Sequence, residues 1–208
     1  ECRSRGKASV TPYPHYRRNR RKKMKQLKVG IVGCGTIGGE LARKIVCGRF
    51  PHMKLSFLND THPDIIRTFK ESVSTSARFV GSEELIDRSD LVIEAAAAGV
   101  SYDIASRCLG KDKKVIIMSV GGLVDGYAEL EGLIKRSNGQ LHIPSGAVCG
   151  IDGILAARES SISEVTLTTR KPVKGLRGAP YFIHKGIDLD EITKDTVVFD
   201  GSAYQRIR

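Results

Sequence analysis

Gly33, Gly35 and Gly38 stand at G-x-G-x-x-G spacing within KVGIVGCGTIGG, residues 28–39. This spacing suits a backbone that must come close to an anion and bind it through peptide N–H groups. The first glycine closes a tight turn, the second lets the chain approach a pyrophosphate, and the third lets the following helix pack on the strand. Thr36 and Ile37 then fall at a helix N-terminus, where unpaired N–H groups and the positive end of the dipole favour the same anion. Three glycines alone are a weak signal, so the reading depends on what surrounds them.

Asn59 and Asp60 follow about 25 residues after Gly33, in Asn59-Asp60-Thr61-His62. An acidic residue ending a second strand can accept hydrogen bonds from an adenosine ribose, which favours NAD. Asp60 fits that role. With Asn59 in the key position, a 2′-phosphate would not be repelled and NADP would be accepted. The same residues also read as a plain turn after a strand. Ala96, in Glu94-Ala-Ala-Ala-Ala98, and Gly122, in Ser119-Val-Gly-Gly-Leu123, follow later strands, where small side chains keep a crevice floor open. Arg170 and Lys171 end an alternating segment and could hold a substrate carboxylate, the guanidinium through two parallel hydrogen bonds. A solvated strand end is the competing reading.

His15, His52, His62, His142 and His184 read as surface or packing residues. The five cysteines form no C-x-x-C pair, so neither a disulfide framework nor a metal site is expected, and the setting expected is reducing and cytoplasmic.

The elements that must position these residues begin at Leu27, where short apolar runs alternate with helical patterns, the signature of βαβ units. The runs predict strands at 27–33, 53–58, 78–80, 90–95, 114–118 and 140–143, most of them continuously apolar, as strands buried on both faces require. Helices are predicted at 36–46 with Ile37, Leu41 and Ile45 on one face, at 63–71, from 82, at 101–110, and after Asp125 as a cap. The fold class expected is α/β, a Rossmann-type doubly wound parallel sheet over 24–147. Residues 148–208 follow a different pattern, with a helix near 151–160, an alternating strand 163–170, a Gly/Pro/basic loop 171–185, a short acidic helix near 187–193 and a strand 196–199. These predict an incomplete α+β second domain.

The net charge of +11 is uneven: residues 1–23 supply +8 and residues 24–208 only +3. The first stretch lacks apolar periodicity and is expected to be a disordered basic extension, upstream of a domain that opens near Met24. A phosphate-binding arm is the alternative, although nucleic acid is not the expected partner. The extension shows neither the apolar region of a secretory signal nor an amphipathic transit pattern. No run of about 18 apolar residues occurs, so no membrane span is expected.

Taken in order, VGIVGCGTIGGELA, DLVIEAAAA, VIIMSVGGLVD, HIPSGAVCGIDGILAA, VTLTTRKP and VFDGSA resemble the L-aspartate dehydrogenase family over residues 27–203. PSGAVCGIDG and TLTTRK are far more specific to it than the glycine loop. The resemblance implies NAD- or NADP-dependent oxidation of L-aspartate to iminoaspartate, which yields oxaloacetate and ammonia or feeds NAD biosynthesis. It also implies a homodimer whose second domain forms the substrate site. By the same resemblance, Gly33, Gly35 and Gly38 hold the cofactor diphosphate, and the Gly122 backbone meets the nicotinamide side. In the family, FDGSA opens a helix leading to a cofactor-binding asparagine and then to a catalytic histidine. Here Ser202 and Ala203 lead to Arg208 without them. The expectation is a C-terminally truncated form with impaired catalysis, in which no catalytic residue is assigned. The alternatives are a non-catalytic NAD-binding protein with a DNA-binding basic arm, or an enzyme like homoserine dehydrogenase or dihydrodipicolinate reductase.

Overall fold

The computed structural model describes residues 26–146, 148, 150–177, 180–202 and 205, so the basic extension lies outside the described residues. The chain divides into two compact units between Gly146 and Ala147.

The first unit is built on six parallel strands: β1 (Leu27–Val32), β2 (Met53–Asn59), β3 (Arg78–Phe79), β4 (Leu91–Glu94), β5 (Lys114–Ile117) and β6 (Gln140–His142). Their order is β3-β2-β1-β4-β5-β6, the doubly wound Rossmann arrangement. All four residues of β4 and the last four of β1 are buried, which is why these stretches read as apolar runs, broken only by Glu94. Register pairs Val32 with both Asn59 and Glu94, and Glu94 with Ile117, so the carboxyl ends of β1, β2, β4 and β5 lie level.

Helices α1 (Thr36–Val46), α2 (Pro63–Ser72), α3 (Ser82–Arg88), α4 (Ala98–Gly110) and α5 (Tyr127–Arg136) cover the sheet, with a 3-10 turn at Val120–Leu123. Alternate strand residues feed two cores. Val29, Ile31, Leu91 and Ile93 pack with Ala42, Ile45 and Phe69 of α1 and α2. Val32, Val92, Val115 and Ile117 pack with residues of α3, α4 and α5 such as Leu85, Ile104 and Leu130.

Three details depart from the sequence expectation. The buried face of α1 is Gly38, Gly39, Ala42 and Ile45, while Ile37 is 51% exposed, because the third loop glycine must face the strand and this turns Ile37 outward. Helix α4 begins at Ala98 rather than at 101. Gly126, not Asp125, occupies the N-cap of α5, where the ring of Tyr102 leaves no room for a side chain.

The second unit holds α6 (Ile151–Ala157), a 3-10 turn at Val173–Gly175 and α7 (Pro180–Lys185). Residues 163–170 and 196–199 are not strands, since no described segment pairs with them, and a strand exists through its neighbour's hydrogen bonds. Val165 and Leu167 are accordingly exposed. The helix expected near 187–193 does not form, and α7 lies instead within 171–185, the stretch expected as a loop. It ends at Gly186, whose φ of +61° and whose bonds, Gly186 N–H to Ile183 O and Ile187 N–H to Phe182 O, turn the chain out of helix.

Candidate functional site

The crossovers from β1 and β4 leave the sheet in opposite senses, so the loops after these strands part and open a crevice. Gly33 takes φ +89° at the end of β1, and a Cβ there would stand 2.6 Å from the N and Cα of Ala96. The Gly33 N–H donates to Asn59 O and the Ala95 N–H to Val32 O, each at 2.8 Å, stitching the β1 loop to both neighbours. A Cβ on Gly38 would overlap the carbonyl oxygen of Gly33, so the first turn of α1 lies directly on the loop. Gly35 differs. A Cβ built there meets nothing within 4 Å. Gly35 is also the N-cap of α1, and no side chain caps that end. Open space in front of uncapped N–H groups and a helix dipole is the cradle a diphosphate requires. Thr36 and Ile37 stand exposed beside it.

Asp60 sits at the lip of this cradle with its side chain only 6% exposed. Its Oδ2 accepts the Cys34 N–H at 2.8 Å, and its Oδ1 accepts the His62 N–H at 2.9 Å with the His62 ring at 3.3 Å. Burial alone would raise its pKa. The Cys34 and His62 N–H groups, with the His62 ring, outweigh that and hold it below the ordinary carboxylate value. A carboxylate keeps further lone pairs beyond these bonds, so a ribose hydroxyl still has an acceptor there. Asn59 instead donates from Nδ2 to Val80 O at 2.8 Å. Cys34, inside the loop, is a buried thiol whose pKa is pushed up to about 12 by burial and by the nearby Asp60 charge, which leaves it inert at neutral pH.

Across the crevice, Ala96 is exposed on the loop after β4. The turn after β5 lies so close to α4 that a Cβ on Gly122 would overlap Ala98 O and Ser101 Oγ. Between these two loops lies Glu94, completely buried, a residue that the apolar pattern presents only as the start of a small-residue run. An acidic residue inside the apolar stretch DLVIEAAAA was the signal available. Glu94 Oε1 accepts the Ala96 N–H at 2.8 Å and the Ser119 hydroxyl at 2.9 Å, and Oε2 accepts the Ser119 N–H at 3.0 Å.

The fold thus gathers Gly33, Gly35, Thr36, Ile37, Gly38, Asn59, Asp60, Ala96 and Gly122 at the carboxyl ends of adjacent strands. Arg170 and Lys171 belong to the second unit, where Arg170, highly exposed, faces Asp195 Oδ2 at 3.4 Å. A surface depression of about 560 Å³ lined by Pro63, Ile66, Arg67, Lys70 and Glu71 runs along α2 and includes none of these residues. Among the described residues, no helix is long and apolar enough to cross a membrane, and no three His, Cys, Asp or Glu side chains are grouped to hold a metal.

A six-strand parallel sheet in this order, with an uncapped glycine loop at its switch point, is a dinucleotide-binding domain of the Rossmann type. Residues 33–144 match the family described as homoserine dehydrogenase, NAD binding domain, and residues 152–208 match aspartate dehydrogenase, C-terminal. The L-aspartate dehydrogenase of Methanosarcina mazei is 39% identical over 184 residues, 88% of this chain and 68% of that protein. The one from Methanocaldococcus jannaschii is 37% identical over 186 residues, again 88% and 68%. The chain belongs to the L-aspartate dehydrogenase family, whose members are NAD(P)-dependent oxidoreductases. Among solved structures, apo scyllo-inositol dehydrogenase from Lactobacillus casei superposes with a TM-score of 0.52 at 19% identity, covering 65% of this chain and 41% of that one, a likeness of fold alone.

Proposed function

We propose that this chain carries the cofactor site of an enzyme that oxidises L-aspartate to iminoaspartate with NAD or NADP. The observation that carries this reading is the open, uncapped N-terminus of α1 behind Gly35, in a chain of this family. Gly35, Thr36, Ile37 and Gly38 bind the diphosphate through backbone N–H groups, while Gly33, whose own N–H is taken by Asn59 O, turns the loop toward it and Gly38 keeps α1 close enough to do so. Asp60 receives the adenosine ribose, while Asn59 beside it carries no charge to repel a 2′-phosphate. Ala96 and Gly122 border the nicotinamide half of the crevice. The bound nicotinamide supplies the hydride acceptor, and the protein's part is to orient it and exclude water. Arg170 and Lys171 in the second unit hold the substrate carboxylates, in a homodimer working in the reducing cytoplasm. Homologues named L-aspartate dehydrogenase support the substrate.

The test is calorimetric titration of the protein with NAD(H) and NADP(H), followed by aspartate-dependent reduction of the oxidised cofactor. Binding of either nucleotide is expected, and its absence would sink the reading. Gly35→Ala places a Cβ in the cradle where it meets no other atom of the protein, so it should weaken binding by at least about tenfold, one lost charge-assisted contact or more, while losing no more than about 1 kcal/mol of stability as a poorer N-cap.

A further inference from the structure

Glu94 stands out in the first unit as a fully buried acid, and none of the ion pairs among the described residues reaches it. Its three partners, Ala96 N–H, Ser119 N–H and the Ser119 hydroxyl, can all donate. An ionised carboxylate, which only accepts, suits such a set; an amide would have to point its own N–H groups at a donor. The partners occupy the approach to α4, whose N-terminus favours negative charge, and Ser119 at the start of the 3-10 turn. Each partner also belongs to a loop that borders the crevice. Ala96 backs against Gly33 of the diphosphate loop. Ser119 begins the turn whose Gly122 presses on Ala98 and Ser101, and the Ser101 hydroxyl, itself buried, closes the circuit to the carbonyls of Ala98 and Ser119 at 2.9 and 3.1 Å.

We infer that Glu94 is a positioning residue whose buried negative charge ties together the two loops on the nicotinamide side of the crevice and biases that crevice toward the oxidised, cationic nicotinamide ring. The inference rests on the dinucleotide reading of the crevice. Two physical effects are involved. The hydrogen bonds fix the spacing between the β4 and β5 loops, and therefore the opening that both cofactor forms enter. The charge acts on one form only. Oxidised nicotinamide is positive and reduced nicotinamide neutral, and a fixed anion in a poorly solvated floor stabilises the first over the second.

Glu94→Gln preserves the shape, removes the charge and sets one amide group against a donor. The test compares dissociation constants of the oxidised and the reduced cofactor for the wild-type protein, Glu94→Gln and Ser119→Ala, with circular dichroism and melting curves reporting the fold. Glu94→Gln is expected to weaken both forms and to shift the ratio of affinities toward the reduced form by at least about fivefold. Ser119→Ala keeps the carboxylate and removes one donor, so it should weaken both forms alike, by about three- to tenfold, with the ratio unchanged. A wild-type ratio in Glu94→Gln would overturn the inference while leaving the dinucleotide reading intact. Wild-type protein that bound neither form would overturn both. Where Glu94→Gln does not fold, Ser119→Ala decides: undiminished affinity for both forms, or a shifted ratio, overturns the inference.

Discussion

Asp60 shows how one side chain can serve the loop before it serves a ligand. Its carboxylate satisfies two backbone N–H groups, one inside the glycine loop and one at the N-cap of α2. Asp60→Asn retains the shape but leaves one of those N–H groups facing an amide, so stability at pH 7 should fall by roughly 1–3 kcal/mol. The pH dependence follows from the lowered pKa. A group depressed in the folded state contributes stability above its unfolded value, near pH 3.9 for aspartate, and loses it as pH falls through the folded value. The gap between wild type and Asp60→Asn should therefore be full at neutral pH and close as pH drops below about 4. Urea unfolding at stepped pH measures it, and a gap that persisted into acid would show that the charge is not what stabilises the loop.

Helices and turns are held at two very different glycines. Gly122, in the turn after β5, lies against Ala98 O and Ser101 Oγ, so Gly122→Ala must push the turn off α4, at a cost of about 1–3 kcal/mol, with cofactor affinity falling alongside. Gly132, in the interior of α5, would place a Cβ no nearer than 3.5 Å to the flexible end of Arg136. Gly132→Ala should therefore stabilise by about 0.5–1 kcal/mol through helix propensity. Opposite signs in thermal melts of the two variants are the expected result. At this scale much was legible in the sequence. The six strands fall within a residue or two of the runs at 27–33, 53–58, 78–80, 90–95, 114–118 and 140–143, most plainly at the central strands β1 and β4, where burial on both faces selects apolar residues. The glycine loop was readable for the same reason, since its strand and helix follow in order. Periodicity misplaced Ile37, because it weighs apolar side chains and cannot weigh the demand that Gly38 touch the Gly33 carbonyl. Alternation at 163–170 marked a sequence suited to a sheet but could not supply a partner strand. Glu94 escaped because its role lies in contacts with Ala96 and Ser119, the second of which is 25 residues away.

Across the whole molecule, apolar burial is concentrated in one unit. Both core clusters lie within the first unit, and among the described residues Phe182 is the buried apolar side chain that the second contributes. Ordering each residue costs roughly 1–2 kcal/mol of conformational entropy, which burial must offset. The first unit meets that condition with a closed set of strand and helix contacts, and its crevice is formed by its own strands and loops. The second unit has one such side chain, while Val165, Leu167, Ile183 and Val197 remain exposed. Residues 24–146 produced alone should therefore melt cooperatively and bind NAD(H) within about threefold of the affinity of the whole chain, since no contact to the cofactor is assigned outside them. Residues 147–208 alone should give no cooperative transition, because too little apolar surface leaves water to compensate the ordering of the chain. Calorimetric melting and cofactor titration of the two fragments measure both outcomes. A first fragment that failed to melt cooperatively would mean that its sheet depends on the second unit, and that the stability of the cofactor site cannot be assigned to the two cores alone.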